Sequence, residues 1–382
     1  MTSIAIIGSR GYPSTYGGFE TFVGRFAPYL RDTGVDVTVY CRDPSPVAGS
    51  SVDELDGIRR IHSRGWNTRS ASTLTHGLSA FRDARHRAYD AALVLNVANG
   101  FFLPLLRRAG TPTAVNVDGL EWQRGKWGPA ARMVFRRGAL ATARFADEIV
   151  IDSNALRDVW QDTFGRSSTF IPYGADVPDR SSADDDEIAR IGLESGSYLL
   201  VVARLVPENN VELALDALER LDYRIPVVIV GSAGVPTELE DRLRMLAARF
   251  DQFHWLGHVH NQELLRQLWQ LCAVYFHGHS AGGTNPALLQ ALGYGAPTIA
   301  FDSEFNHEVL TGSDDCFFTN DAEAVAKLIS SIIDDPYKRE ELSRTNQRIV
   351  AERYRWSDVC AEYSSLLMTL ADQGLSRRAH QR

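Results

Sequence analysis

Between His277 and Asp302 the chain reads HGHSAGGTNPALLQALGYGAPTIAFD. An apolar run, Ala273 to Phe276, gives way there to small and polar residues, and then to Leu288, Leu289, Ala291 and Leu292, which share a helical face. That order predicts strand, glycine loop and helix, with a second short strand from Pro297 to Phe301. At such a helix start the backbone N–H groups of Gly283, Thr284 and Asn285 can point at one anion, and Pro286 lacks only a donor the first turn would not use. The chemistry this allows is phosphate binding. Glycine-rich strand-to-helix turns also arise in α/β proteins for backbone reasons alone.

Other stretches carry groups suited to a polar ligand. The sequence ARLVPENN places Arg204 at the carboxyl end of an expected strand, where a guanidinium can pair in bidentate fashion with a phosphate. Glu208, Asn209 and Asn210 after it can also serve as helix caps. Gly17 and Gly18, directly before Phe19 and Glu20, put bare backbone at another helix start, or simply permit a tight turn; the preceding run Arg10 to Tyr16 suits a loop touching a polar ligand. Thr113 to Val117 reads as a strand that ends at Asp118, Gly119, Leu120 and Glu121. Ligands of open α/β sheets collect beyond the carboxyl ends of strands, so Asp118 and Glu121 stand where acid–base chemistry is expected, with capping or surface exposure as the alternative. The segment 124–144 holds Arg124, Lys126, Arg132, Arg136 and Arg137 among Trp127, Met133, Val134 and Phe135. Such a face can rest on an anionic membrane or meet a lipid phosphate, or be an ordinary solvated helix. His277 and His279 flank Gly278 without the company a metal requires.

Composition limits the choices. At 382 residues the chain exceeds one ordinary hydrophobic core, so two domains are expected. Hydrophobic residues make up 44% and charged residues 23%, the balance of a globular protein. A formal net charge of -8 argues against nucleic acid as a partner. Cys41, Cys272, Cys316 and Cys360 have no metal-ligand spacing and are expected to be reduced thiols. With no signal sequence and no membrane-length apolar run, a cytoplasmic location is expected, and any membrane contact would be made from that side.

The elements that must position these residues alternate. Ser3 to Gly8 is a short buried strand, Phe22, Phe26, Tyr29 and Leu30 mark a helix, and Val35 to Tyr40 is a second strand. Strands follow at Ala91 to Asn96, Thr113 to Val117 and Glu148 to Asp152, until the polar, acidic run near 177–186 reads as a linker. The alternation then restarts with strands at 198–203, 226–231 and 253–256 and helices at 211–221, 238–250 and 262–271. Helices are expected at 321–332, 336–353 and 356–370, with a frayed end beyond. The fold class is α/β, two facing Rossmann-like domains with a cleft between them: 1–178, 187–353, and a last helix in 354–382 that returns to the first domain. The spacing of Gly8, Gly11, Gly17 and Gly18 does not fit a dinucleotide fingerprint, which disfavours hydride chemistry.

With SRGYPSTYGGFET, NVDGLEW, IPYGAD, ARLVPENN, GGTNP and GYGAPTIAFD in view, nearly the whole chain resembles the retaining GT-B glycosyltransferases of the family 4-like group, and within them the bacterial polysaccharide rhamnosyltransferases. The resemblance implies a metal-independent transferase that needs no cofactor and takes a nucleotide sugar. It implies rhamnose from dTDP-rhamnose, or another hexose from a UDP or GDP donor, as the sugar, and a lipid-linked or saccharide acceptor in cell-surface polysaccharide synthesis. It implies that Gly17 and Gly18 lie near the donor phosphates, that Arg204 neutralises the departing diphosphate, and that Gly282 to Gln290 matches the family's E-x-x-x-x-x-x-x-E segment. Gly282 stands at its first Glu and Gln290 at its second, which holds the ribose, while Asn209 stands near a common phosphate-binding Lys. In the front-face attack pictured for such enzymes, Asp118, with Glu121 nearby, would orient or help deprotonate the acceptor hydroxyl. A nucleotide-sugar epimerase of the same fold and a non-catalytic nucleotide-sugar binder are the rival readings.

Overall fold

A computed structural model of the chain describes residues 1–13, 17–42, 52–66, 72–123, 127–178, 186–312 and 314–380, the side chains of 314 and 376–380 excepted. It divides into two compact units: Met1–Tyr173 with Trp356–Arg382, and Gly174–Arg355. Much of the expected linker, 179–185, lies outside the described residues, as do Arg124, Lys126 and residues 14–16.

The first unit runs β1 (Ser3–Ile7), α1 (Gly18–Asp32), β2 (Asp36–Arg42), β3 (Val52–Leu55), β4 (Ile58–Ser63), α2 (Ser72–Ala84), β5 (Ala91–Leu95), α3 (Leu103–Arg108), β6 (Thr113–Asn116), α4 (Pro129–Phe145), β7 (Glu148–Ile151), α5 (Ala155–Phe164) and β8 (Thr169–Phe170). Its sheet is ordered β3-β4-β2-β1-β5-β6-β7-β8, parallel except for the β3–β4 hairpin. β1 and β5 are apolar almost without break because helices cover both faces of a parallel sheet. Phe22, Val23, Phe26, Ala27 and Leu30 turn one stripe of α1 inward.

The second unit runs α6 (Asp186–Ala189), β9 (Leu199–Val202), α7 (Val211–Arg220), β10 (Val227–Val230), α8 (Glu238–Arg249), β11 (Phe253–Gly257), α9 (Gln262–Leu271), β12 (Val274–His277), α10 (Pro286–Gly293), β13 (Thr298–Phe301), α11 (Glu304–Val309), β14 (Phe317–Phe318), α12 (Ala322–Ile333) and α13 (Pro336–Arg353). The parallel order is β11-β10-β9-β12-β13-β14. Successive residues of β9 feed opposite cores: Leu199 and Val201 pack with Leu213, Leu218 and Ile299, and Leu200 packs with Val228, Leu268 and Tyr275.

The last helix, α14 (Trp356–His380), belongs to the first unit and packs on α1, β5 and β6. Tyr363 is buried 4.6 Å from the Phe22 ring, and its hydroxyl accepts from Asn116 Nδ2 at 2.6 Å. The end expected to fray, GLSRRAHQR at 374–382, is instead helical as far as His380. Gly374 explains part of this: a Cβ there would stand 3.0 Å from Pro112 Cδ, so the helix backbone lies close against the unit.

Candidate active site

In the second unit the strand order reverses between β9 and β12, so the connections leaving their carboxyl ends diverge and open a crevice where ligands of such sheets bind. The loops meeting there are the two that the sequence singles out. Arg204, two residues past β9, is exposed and has neither an ion pair nor a side-chain hydrogen bond among the described residues. Its loop is tied to the loop after β12. Ser280 donates from its N–H (2.9 Å) and Oγ (3.0 Å) to Glu208 O, and Asn210 Nδ2 donates to Gly278 O at 2.8 Å. Gly278 permits the contact, since a Cβ there would lie 2.2 Å from Asn209 O.

Asn209, expected at the phosphates, is buried and spends its amide on the Arg204 carbonyl at 2.8 Å, so it shapes the arginine's loop. Gly282 has φ +130°, open to glycine and strained for other residues. Asn285 caps α10, its Oδ1 accepting from Ala287 N–H at 2.9 Å; the N–H groups of Gly283 and Asn285 bond to nothing among the described residues, and Thr284 is buried. Gln290, one turn further, is half-buried with its side-chain amide unengaged among the described residues. The structure thus gathers Arg204, Gly282, Gly283, Thr284, Asn285 and Gln290 around the loops at one edge.

His277 is fully buried, its Nδ1 3.2 Å from the Tyr275 hydroxyl and its ring stacked on His279. Burial first, and His279 second, hold its pKa well below the usual histidine range, so it is a neutral prop for the loop. Asn306 performs a similar task, donating to His279 O (2.9 Å) and Phe301 O (2.8 Å).

The first unit reverses between β1 and β5. Gly17 caps α1 at φ +114°, and a Cβ on it would fall 2.3 Å from Glu20 Oε2; Gly18 opens the helix. The buried Glu20 accepts from Arg10 N–H at 2.9 Å, which gives the glycine pair a packing reason besides any ligand. Asp118, just past β6, adopts φ +49°, and its N–H donates to Asn116 Oδ1 at 3.1 Å. Glu121 is buried and accepts from Trp127 Nε1 at 2.7 Å, so this carboxylate, expected beside the acceptor, also anchors its own loop. Asp152 at the end of β7 is a buried carboxylate the sequence reading missed. Burial raises the pKa of Tyr173, and the fields of Asp118 and then Asp152 raise it further, which marks an acidic neighbourhood at this edge.

On α4, Arg132, Arg136, Arg137 and Arg144 are exposed beside Met133 (55%) and Leu140 (52%). Among the described residues no helix is long and apolar enough to cross a membrane. All four cysteines are free and buried.

Residues 184–349 match the model of the glycosyl transferases group 1 family, and residues 1–176 match a domain of unknown function, DUF1972. No curated protein compared with the chain matches it. Among solved structures it is similar to the sucrose-phosphate synthase of Thermosynechococcus elongatus (TM-score 0.79, 16% identity, 97% of this chain and 99% of that one). It is also similar to Anabaena HepE in complex with UDP-glucose (0.72, 15%, 97% and 100%) and to the α,α-trehalose 6-phosphate synthase of Burkholderia multivorans (0.71, 14%, 100% and 98%). At these identities the likeness establishes the fold. The chain therefore has the GT-B fold, and its residues 184–349 are similar to the group 1 glycosyl transferases.

Proposed function

We propose that the protein transfers a sugar, with retention of anomeric configuration, from a nucleotide donor to a saccharide or lipid-linked acceptor. The observation that carries this reading is Arg204, an exposed guanidinium that has no counter-ion among the described residues, held beside a glycine loop whose Gly283 and Asn285 N–H groups are unengaged among those residues, at the switch point of the second unit's sheet. Stabilising a departing diphosphate is an electrostatic task, and fixed donors aimed at developing charge are the means. Gly282, Gly283, Thr284 and Asn285 supply the loop, Asn209 holds the arginine's backbone, and Gln290 meets a ribose hydroxyl. In the first unit, Gly17 and Gly18 offer bare backbone to a donor phosphate. Asp118 orients or deprotonates the acceptor hydroxyl, with Glu121 as a positioning residue. HepE, described in complex with UDP and with UDP-glucose, supports a nucleotide-sugar donor.

For the donor we favour dTDP-rhamnose, on the SRGYPSTYGGFET, PENN and GGTNP stretches, and for the pathway cell-surface polysaccharide. The arginines of α4, with exposed Met133 and Leu140, suit peripheral contact with an anionic membrane near a lipid-linked acceptor. The test is to incubate purified protein with a panel of nucleotide sugars, with and without a lipid-linked acceptor, and follow nucleoside diphosphate release and product stereochemistry. Acceptor-dependent release with retention supports the reading. Interconversion of donors without acceptor favours an epimerase, and binding without turnover favours a silent binder, the alternative suggested by the absence of carboxylates at 282 and 290.

A further inference from the structure

Arg42 ends β2, beside β1 at the carboxyl edge of the first unit's sheet. It has no part in the proposed donor site. It is half-buried and forms no ion pair among the described residues. Its hydrogen bonds go to neutral oxygens: Nη1 to Ser72 Oγ at 3.4 Å, and Nη2 to Gly8 O at 3.4 Å and Thr73 Oγ1 at 3.5 Å. All are long beside the roughly 2.9 Å of a well-made N–H···O bond. A guanidinium has five N–H donors in a fixed fork; three of this one's go to these long bonds and two are left over.

Its surroundings disfavour the charge. Burial lowers the pKa of Arg42 most; the field of Glu20 opposes that, and the field of Arg10 adds to it. Arg10 is an immediate neighbour, because Arg42 N–H donates to Arg10 O at 2.9 Å. Glu20 is only a partial counter-charge, since one oxygen accepts from Arg10 N–H and the other lies under Gly17. Two guanidiniums thus share one edge, one of them partly desolvated and met, among the described residues, only by neutral acceptors. A doubly charged oxyanion would relieve that arrangement, taking two parallel bonds from the fork and further bonds from the hydroxyls.

We propose that Arg42, with the Ser72 and Thr73 hydroxyls at the start of α2, forms a subsite for a phosphoryl group carried by the acceptor. Only the word acceptor rests on the sugar-transfer reading; the anion subsite stands on the geometry of the first unit.

The experiment is thermal unfolding of Arg204→Ala protein, in which the second unit's own anion site is weakened, with millimolar inorganic phosphate at constant ionic strength. Selective binding to the folded state raises the melting temperature, here by about 2–4 °C. Arg42→Gln in that background should abolish the rise. Thr73→Asp should abolish it as well, by placing a carboxylate beside the guanidinium; acids are tolerated in a first helical turn, so this variant is expected to fold. No response to phosphate in the Arg204→Ala protein, or an equal rise in both double variants, overturns the subsite. Octyl phosphate and octyl glucoside provide the second arm: a rise with octyl phosphate alone, lost in Arg42→Gln, supports an acceptor phosphoryl group, whereas response to inorganic phosphate but not octyl phosphate overturns that assignment. Melting needs no turnover, so failure of the transferase reading and failure of this subsite are separate results.

Discussion

At the scale of single residues, Asp118 and Gln290 carry parts of the proposed chemistry, and His277 props a loop. Asp118 is held by the Asn116 side chain in a left-handed conformation that Asn also tolerates, so Asp118→Asn should keep the backbone while removing the base. We expect transfer to fall about 10²–10⁴-fold with donor affinity unchanged, measured as initial rates and donor titrations. Gln290 is a neutral amide where the resemblance implies a ribose-holding carboxylate. Gln290→Glu should tighten donor binding about five-fold, since hydrogen bonds to a charged acceptor are the stronger kind; calorimetry showing weaker binding would place the ribose elsewhere. His277 predicts a pH dependence. Its folded pKa lies below the unfolded value of about 6.5, so below that pH the unfolded chain takes up a proton the folded protein refuses. Stability contributed by neutral His277 is therefore complete above about pH 6.5–7 and lost on acidification, by up to about 1.4 kcal/mol per pH unit, until the folded pKa is reached. Urea titrations between pH 7.5 and 5 should show a shallower slope for His277→Gln; identical slopes would contradict the neutral prop.

At the scale of elements, the loop after β12 depends on a glycine whose reason lies in another strand's loop. Gly278→Ala should cost about 1–3 kcal/mol and weaken donor binding, because its Cβ must displace the Asn209 carbonyl. Gly24, in α1 with nothing within 4 Å of an added Cβ, is the control: Gly24→Ala should gain about 0.5–1 kcal/mol of helix stability in the same denaturation assay. These cases also show what the sequence could reveal. The strand, glycine loop and helix around 277–293 were legible because apolar periodicity and helix-start chemistry are local signals, and Arg204 was legible from its place at a strand's end. Asn306, Gly278 and Asp152 were not, since each acts on partners distant in sequence; Asn306 reaches back 27 residues to the His279 carbonyl. The β3–β4 hairpin was missed although Asp56 and Gly57, both at positive φ between Leu55 and Ile58, are the two-residue turn that marks one. Its apolar alternation is thin, with charged residues at most outward positions. Asn209 shows a second use the sequence does not reveal: a residue type suited to phosphate also donates to a carbonyl of its own loop.

At the scale of the whole molecule, the same doubly wound plan occurs twice and puts the candidate groups of each unit beyond the carboxyl ends of its strands. The repetition was visible as alternating strands and helices without any close sequence repeat, because the plan demands a pattern and not particular residues. The return of the final helix rests on Tyr363, which closes the first unit against Phe22 and Asn116. Tyr363→Phe keeps the ring and strands the buried Asn116 donor, so it should lower stability by about 1–3 kcal/mol in denaturant titration, without altering donor affinity. The central claim, that the second unit binds a nucleotide sugar by its diphosphate and stabilises that diphosphate as it leaves, is tested most directly by Arg204→Ala. With no partner inside the described protein, Arg204 should be removable at less than about 0.5 kcal/mol of stability. Transfer from the preferred donor should nonetheless fall about 10²–10³-fold, in proportion to the lost stabilisation of the leaving group. A folded Arg204→Ala enzyme that turns over at the wild-type rate would contradict the account.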